Sequence, residues 1–173
     1  MRAKPTVRST ALLLLALAAA ALMTFVSCRR PRTADEYAHH CTLRIDCATI
    51  LDNMDDLDPD KRELVPEDGV ILEAVTVGFN DGDSVYDILL RELRARGIHV
   101  EASFVPAFNS AYIEGINNIY EFDCGYSSGW EYCVNGEFPG FGCSSYYPEE
   151  GDEIQFRYTC DMGADIGNGF KGD

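Results

Sequence analysis

Positive charge is what this chain has least of. Fourteen lysines and arginines face 29 aspartates and glutamates, for a formal net charge of -15. A protein that grips nucleic acid does so largely by neutralising phosphates, so this deficit excludes simple phosphate-backbone binding and nucleic acid as a partner. Histidine is scarce too, with only His39, His40 and His99. Closely spaced cysteine pairs are absent. The six cysteines from Cys41 to Cys160 are separated by five, seventy-six, eight, nine and sixteen residues, none of which is the spacing of a zinc ligand pair. There is no internal repeat and no low-complexity tract.

The longest apolar run, Ala11 to Val26, has sixteen residues, short of the roughly twenty that span a bilayer. Preceded by Arg2, Lys4 and Arg8, it reads as a signal segment over residues 1–27 that is removed on export. Its loss takes away three positive charges and no acid, leaving -18 on the mature chain. Acidity of that size keeps an extracellular domain soluble. Phe25-Val26-Ser27-Cys28 resembles a bacterial lipobox, which implies lipid attachment at Cys28 and an exported protein anchored to the membrane on its extracellular face. The bland alternative is an uncleaved anchor helix flanked by Arg29, Arg30 and Arg32. Setting Cys28 aside leaves an even number of cysteines, Cys41, Cys47, Cys124, Cys133, Cys143 and Cys160, as disulfide candidates in an exported chain.

Residues 28–40 read as a polar stem. From Cys41 to Cys47 the chain alternates, with Cys41, Leu43, Ile45 and Cys47 on one face of a first strand. Asp58-Pro59 opens a short helix, with Asp58 capping it and Pro59 at its first position. Val70 to Phe79 is a second strand. The best helix runs from Ser84 to Arg96: Val85, Ile88, Leu89 and Leu93 form its buried stripe, Ser84 and Asp87 have capping-box spacing, and Gly97 closes it. Further strands are expected at Ile98–Phe104, Ala111–Ile113 and Ile119–Phe122. Residues 41–162 therefore make one domain, α+β, with a sheet folded over one main helix, and residues 163–173 make a flexible, Gly- and Asp-rich tail.

Gly129 to Cys160 is the most informative stretch. Trp130, Tyr132 and Val134 alternate before an Asn135-Gly136 turn, and Ile154, Phe156 and Tyr158 alternate after Glu150-Gly151-Asp152. Together with the segment TVGFNDGDSVYDILL and the segment AYIEGINNIYEFDCG, the GW-x-Y-x-VNG and GD-x-I-x-F-x-Y elements resemble the transcobalamin C-terminal-like domain of bacterial surface proteins. The resemblance covers about Leu43 to Met162. It implies a β-grasp-like mixed sheet packed on one main helix, with the first and last strands parallel and adjacent, and it implies cobalamin or another corrinoid as a ligand. Carriers of that vitamin enclose it with a second, helical barrel domain, for which this chain has no room. The parallel arrangement would bring Cys47 to Cys160. A second bridge between Cys124 and Cys143 would close a loop of about twenty residues, contributing roughly 3 kcal/mol. Cys41 and Cys133 are left over, and whether Cys133 pairs or stays a free thiol is open.

Trp130, Tyr132, Tyr126, Phe138, Phe141 and Tyr146 are the candidate ligand-binding residues. Several of them must also fill the core of a small domain, but the Glu137-to-Gly142 loop holds rings beside proline and glycines, where little entropy is lost on binding. Gly125-Tyr126-Ser127-Ser128-Gly129 matches the G-x-S-x-G elbow of hydrolases in letters only. A strand, not a helix, follows it, and every histidine precedes it. Asp56, Asp58, Asp60 and Glu67 have the offsets of a calcium loop, with Lys61 where that loop requires glycine. No nucleophile, base and orienting group can be assembled, and no metal site is expected. The function read from the sequence is a non-catalytic cell-surface lipoprotein that binds a small ligand or a surface protein partner. A structural or adhesive module for proteins or glycans is the alternative.

Overall fold

The computed structural model describes residues 32–168, with the side chain of residue 108 excepted. The signal segment, Cys28 and residues 169–173 lie outside them. Alternation of apolar and polar side chains produces seven strands: β1 (His39–Asp46), β2 (Val70–Phe79), β3 (Val100–Val105), β4 (Ser110–Ile116), β5 (Ile119–Tyr120), β6 (Gly129–Val134) and β7 (Glu153–Thr159). One α-helix, α1 (Val85–Arg96), lies between β2 and β3, and short 3-10 turns occupy several connections. The class is α+β with one main helix.

The strands form two sheets where a single folded sheet was expected. The larger is mixed, with order β2-β1-β7-β6, and the smaller is antiparallel, with order β3-β4-β5. In the larger sheet β1 runs parallel to β7, with Leu43 opposite Ile154 and Ile45 opposite Phe156. First and last strands are thus neighbours, as the resemblance implied. The core faces of β1 and β7, with Val77 and Phe79 of β2 and Trp130 and Val134 of β6, share one apolar cluster with Val85, Ile88, Leu89 and Leu93 of α1 and with Ile113, Ile116 and Ile119. The helix thus shares one core with both sheets, and its four buried side chains repeat at helical spacing.

Local chemistry sets the ends of the elements. Ser84 Oγ accepts from Asp87 N at 3.2 Å, and Asp87 Oδ2 accepts from Ser84 N at 2.9 Å, a reciprocal capping box. Gly97 ends α1 at φ 70, a left-handed conformation in which a side chain would be strained. Asp58 caps the segment Pro59–Leu64 by accepting from Asp60 N at 2.9 Å, and the short helix expected there is 3-10. β1 begins at His39, two residues inside the expected stem, where Ala38 N and His40 N donate to Asn80 Oδ1 and Glu150 Oε2.

The segment after β7 departs from the expected flexible tail. Asp165 Oδ2 accepts from Cys160 N at 2.7 Å, Ile166 O accepts from Arg157 Nη1 at 3.1 Å, and Asn168 Nδ2 donates to Glu131 Oε2 at 2.6 Å. Ile166 is buried. Glycine-rich composition spoke for fraying, whereas residues 163–168 are bonded to the end of β7 and, through Asn168, to Glu131 of β6.

Candidate functional site

The site grows out of the loop between β5 and β6. Tyr120 N donates to Asp123 Oδ2 at 2.7 Å, Phe122 N donates to Ser128 O at 3.1 Å, and Asp58 N donates to Asp123 O at 2.7 Å. Inside the loop, Ser128 is buried: its Oγ accepts from Cys124 N at 3.1 Å, donates to Gly125 O at 2.8 Å and lies 2.8 Å from Tyr158 Oη. These bonds use the backbone polar groups that a loop of this size must satisfy, and they hold its chain in one shape.

That shape turns two rings outward. Phe122 is 57% and Tyr126 94% exposed, and the rings stack with centroids 5.7 Å apart. Phe122 has φ 69, in the left-handed region where a non-glycine residue is strained. Met162, 72% exposed, also has a positive φ of 46, and its N–H donates to Ser127 O at 2.9 Å, which brings the segment after β7 against the loop. Between these walls lies an open groove of about 380 Å³, with Tyr112, Trp130, Glu131, Thr159 and Asn168 along its floor and rim. Its polar edge carries one carboxylate, that of Glu131. Tyr112 Oη donates to Glu121 Oε2 at 2.5 Å, and burial, reinforced by that bond, raises the phenol's pKa.

Tyr112 also lines a second groove, of about 330 Å³, with Val105, Ser110, Ala111 and the loop Pro139–Gly142. Here Gly142 is packed so closely on Ser110 that an added Cβ would meet Ser110 Oγ at 1.9 Å, so only glycine lets this loop approach β4. Phe141 is exposed on its lip and stacks on Tyr146 at 6.1 Å.

The expected ligand residues divide between these grooves and the core. Tyr126 and Phe141 are surface rings. Trp130, by contrast, is a core residue with only its edge at the groove floor: it is 6% exposed, donates from Nε1 to Ile119 O at 2.8 Å and meets Tyr158 edge-on at 5.2 Å. Tyr132 stacks on Phe156 and donates its hydroxyl to Phe141 O at 2.8 Å, bracing the second loop from beneath. Tyr146 is half-buried beside it, and Phe138 is half-buried without lining either groove. Phe122, Tyr112 and Met162 were missed. Phe122 was read as the end of a strand, yet it stands between Glu121 and Asp123 ahead of Cys124-Gly125, a setting that offers a ring no apolar partner in sequence.

The other sequence-level candidates fall elsewhere. Ser127 lines the groove, while His39 Nε2 bonds Asp81 Oδ1 at 3.0 Å, His40 Nδ1 lies 3.8 Å from Glu150, and His99 packs on Tyr120 at 6.3 Å. Among the described residues, no group of three or more His, Cys, Asp and Glu side chains is arranged to hold a metal ion, and no helix is long and apolar enough to cross a membrane. The six cysteines of the domain are free thiols in this structure. Burial pushes the thiol pKa values of Cys41, Cys47, Cys124 and Cys143 up to about 12. Cys143 is buried in the turn Cys143–Ser145, and Cys124 Sγ donates to Asn53 O at 3.4 Å. Cys133 is buried on the opposite sheet face from Trp130, within the field of Arg157 and Asp46.

No curated protein matches the chain. Among solved structures, haptocorrin in complex with Cbi is similar at 14% identity and a TM-score of 0.47, over 69% of this chain and 25% of that one. This chain thus spans about a quarter of the haptocorrin length. A candidate metal binding protein from Ruminococcus gnavus ATCC 29149 is similar at 12% identity and a TM-score of 0.41, over 70% of this chain and 96% of that one. Residues 82–160, which hold α1 and both motif elements of β6 and β7, match the model of a family described as a domain of unknown function, DUF4430.

Proposed function

We propose that this chain is a non-catalytic binding module, exported and lipid-anchored through Cys28, that takes a small ligand in the groove beside Phe122 and Tyr126. The observation that carries the reading is the pair of stacked, exposed rings on a loop held by hydrogen bonds at both of its ends. Burying such rings without a ligand would be the ordinary outcome of folding, and holding Phe122 in a strained conformation to expose it costs about 1–3 kcal/mol. The groove volume lies within the range of small-molecule sites, which are apolar with a few placed polar groups.

A β-grasp-like domain of the transcobalamin C-terminal-like kind is the finer fold reading, and it makes a corrinoid the first ligand to test. A flat ring system suits the Phe122–Tyr126 stack, and the Tyr112 hydroxyl and Glu131 supply polar contacts at the rim. Because the groove is open on one side, affinity is expected to be weak unless a partner covers the ligand. The test is a spectral and calorimetric titration of the mature chain with cobalamin and with cobinamide, alongside a Phe122→Ala/Tyr126→Ala variant. Saturable binding that the variant lowers at least tenfold supports the reading. No signal at millimolar ligand removes the corrinoid, and glycan-array binding that survives the double substitution would favour the adhesive alternative.

A further inference from the structure

Three cysteines gather at one end of the larger sheet, around the 3-10 turn Ala48–Asp52. Cys47 immediately precedes that turn and is wholly buried. Cys124 Sγ donates to Asn53 O at 3.4 Å, and Cys160 Sγ lies 3.7 Å from Thr49 Oγ1. Asn53 Nδ2 donates to Thr49 O at 2.8 Å, so both anchoring points belong to one turn.

We propose that Cys124 and Cys160 form a disulfide that braces the two walls of the groove. Cys124 leads directly into Gly125–Ser127 and Cys160 into Asp161–Met162, the two segments already joined by the bond from Met162 N to Ser127 O. A covalent link at their shared base holds Tyr126 and Met162 at a set separation whatever the groove binds. Cys47 is the rival partner of Cys160, whose thiol, after burial, helps to raise the thiol pKa of Cys47, but the strand register disfavours it. Asp46 stands opposite Arg157, so Cys47 is level with Tyr158, two residues short of Cys160.

The chemistry needs an external oxidant, here an oxidised glutathione-type disulfide. Cys160 is the partly exposed member of the pair, and Cys124 is buried. Cys160, as thiolate, attacks one glutathione sulfur; the S–S bond breaks, and one glutathione leaves and takes up the proton. Cys124 then gives up its proton and attacks the Cys160 sulfur of the mixed disulfide, releasing the second glutathione. Two protein thiols lose two electrons in all, and one glutathione disulfide becomes two thiols.

The test is incubation of the full chain with oxidised glutathione, alkylation, and peptide mapping without reduction, together with thiol counts after denaturation. The expected result is a Cys124–Cys160 linked peptide and a loss of two thiols per chain, unchanged in Cys47→Ser and abolished in Cys160→Ser. The wild-type map stands by itself should a variant fail to fold. A dominant Cys47–Cys160 or Cys124–Cys143 peptide, or recovery of both Cys124 and Cys160 as alkylated thiols, overturns the proposal. None of these results depends on a ligand.

Discussion

Phe122 and Trp130 are both aromatic residues touching one groove, and they should respond to substitution in opposite ways. Trp130 fills the core and satisfies Ile119 O, so Trp130→Ala is expected to lower stability by about 3–5 kcal/mol in urea unfolding. Tyr126→Ala, at a ring almost wholly in solvent, should change stability by less than about 0.5 kcal/mol while weakening ligand binding. Phe122→Gly is the sharper case. Glycine adopts φ 69 freely, so the variant is expected to be as stable as the parent or more stable by up to about 1 kcal/mol, with binding lost. A large destabilisation measured for it would mean that the ring serves packing and not recognition.

At the scale of elements, α1 is held by its ends as well as by its apolar stripe. Ser84→Ala removes both the acceptor for Asp87 N and the hydroxyl that donates to Asp87 Oδ2 at 2.5 Å, and is expected to cost about 1–2 kcal/mol by thermal or urea unfolding. Restoring an acceptor with Ser84→Asn should recover much of that loss. This helix was the most legible part of the sequence, because capping box, stripe and terminal glycine all act within one or two turns. The strand from Val70 to Phe79 was equally plain, and β6 and β7 were readable from their alternation. Less plain was β5. Its apolar pattern ran on to Phe122, but the chain turns left-handed there to meet Ser128, a partner the pattern does not reveal.

For the whole molecule, the buried thiols make an alkaline limit to stability. An unfolded thiol ionises near 9.0, while Cys41, Cys47, Cys124 and Cys143 hold their protons to about 12 in the fold because burial disfavours the thiolate. Above pH 9 the unfolded chain therefore binds fewer protons than the native one, and stability falls with pH. Stability from this source is fully present below pH 9 and is lost between 9 and 12. The melting temperature of the reduced protein should be level from pH 7 to 8.5 and drop beyond 9; a level profile to pH 11 would contradict the burial of these groups. Oxidation acts in the other direction. A Cys124–Cys160 bridge closes a loop of roughly 35 residues, for which the chain-entropy model gives about 4 kcal/mol, so the oxidised form should unfold at higher urea than the form kept in dithiothreitol.

Short-range regularities determined most of what was readable in advance. Period-two and helical spacing named the strands and the helix, turn residues named their ends, and the acid excess spoke against binding a phosphate backbone. These signals act through neighbours a few residues apart, so the chain carries them on its face. Tertiary structure decided the rest. Whether a ring is core or surface depends on what the opposite wall supplies: Trp130 finds Ile119 O and Tyr158, whereas Tyr126 finds only Phe122. The six strands that follow β1 divide between two sheets because β3, β4 and β5 pair among themselves, a choice of long-range partners that alternation leaves open. The gathering of Cys124 and Cys160 on one turn is of the same kind. Thirty-six positions apart in sequence, the two bond to Asn53 and Thr49 because a loop and a strand end are both drawn onto that turn, and spacing along the chain holds no record of that meeting.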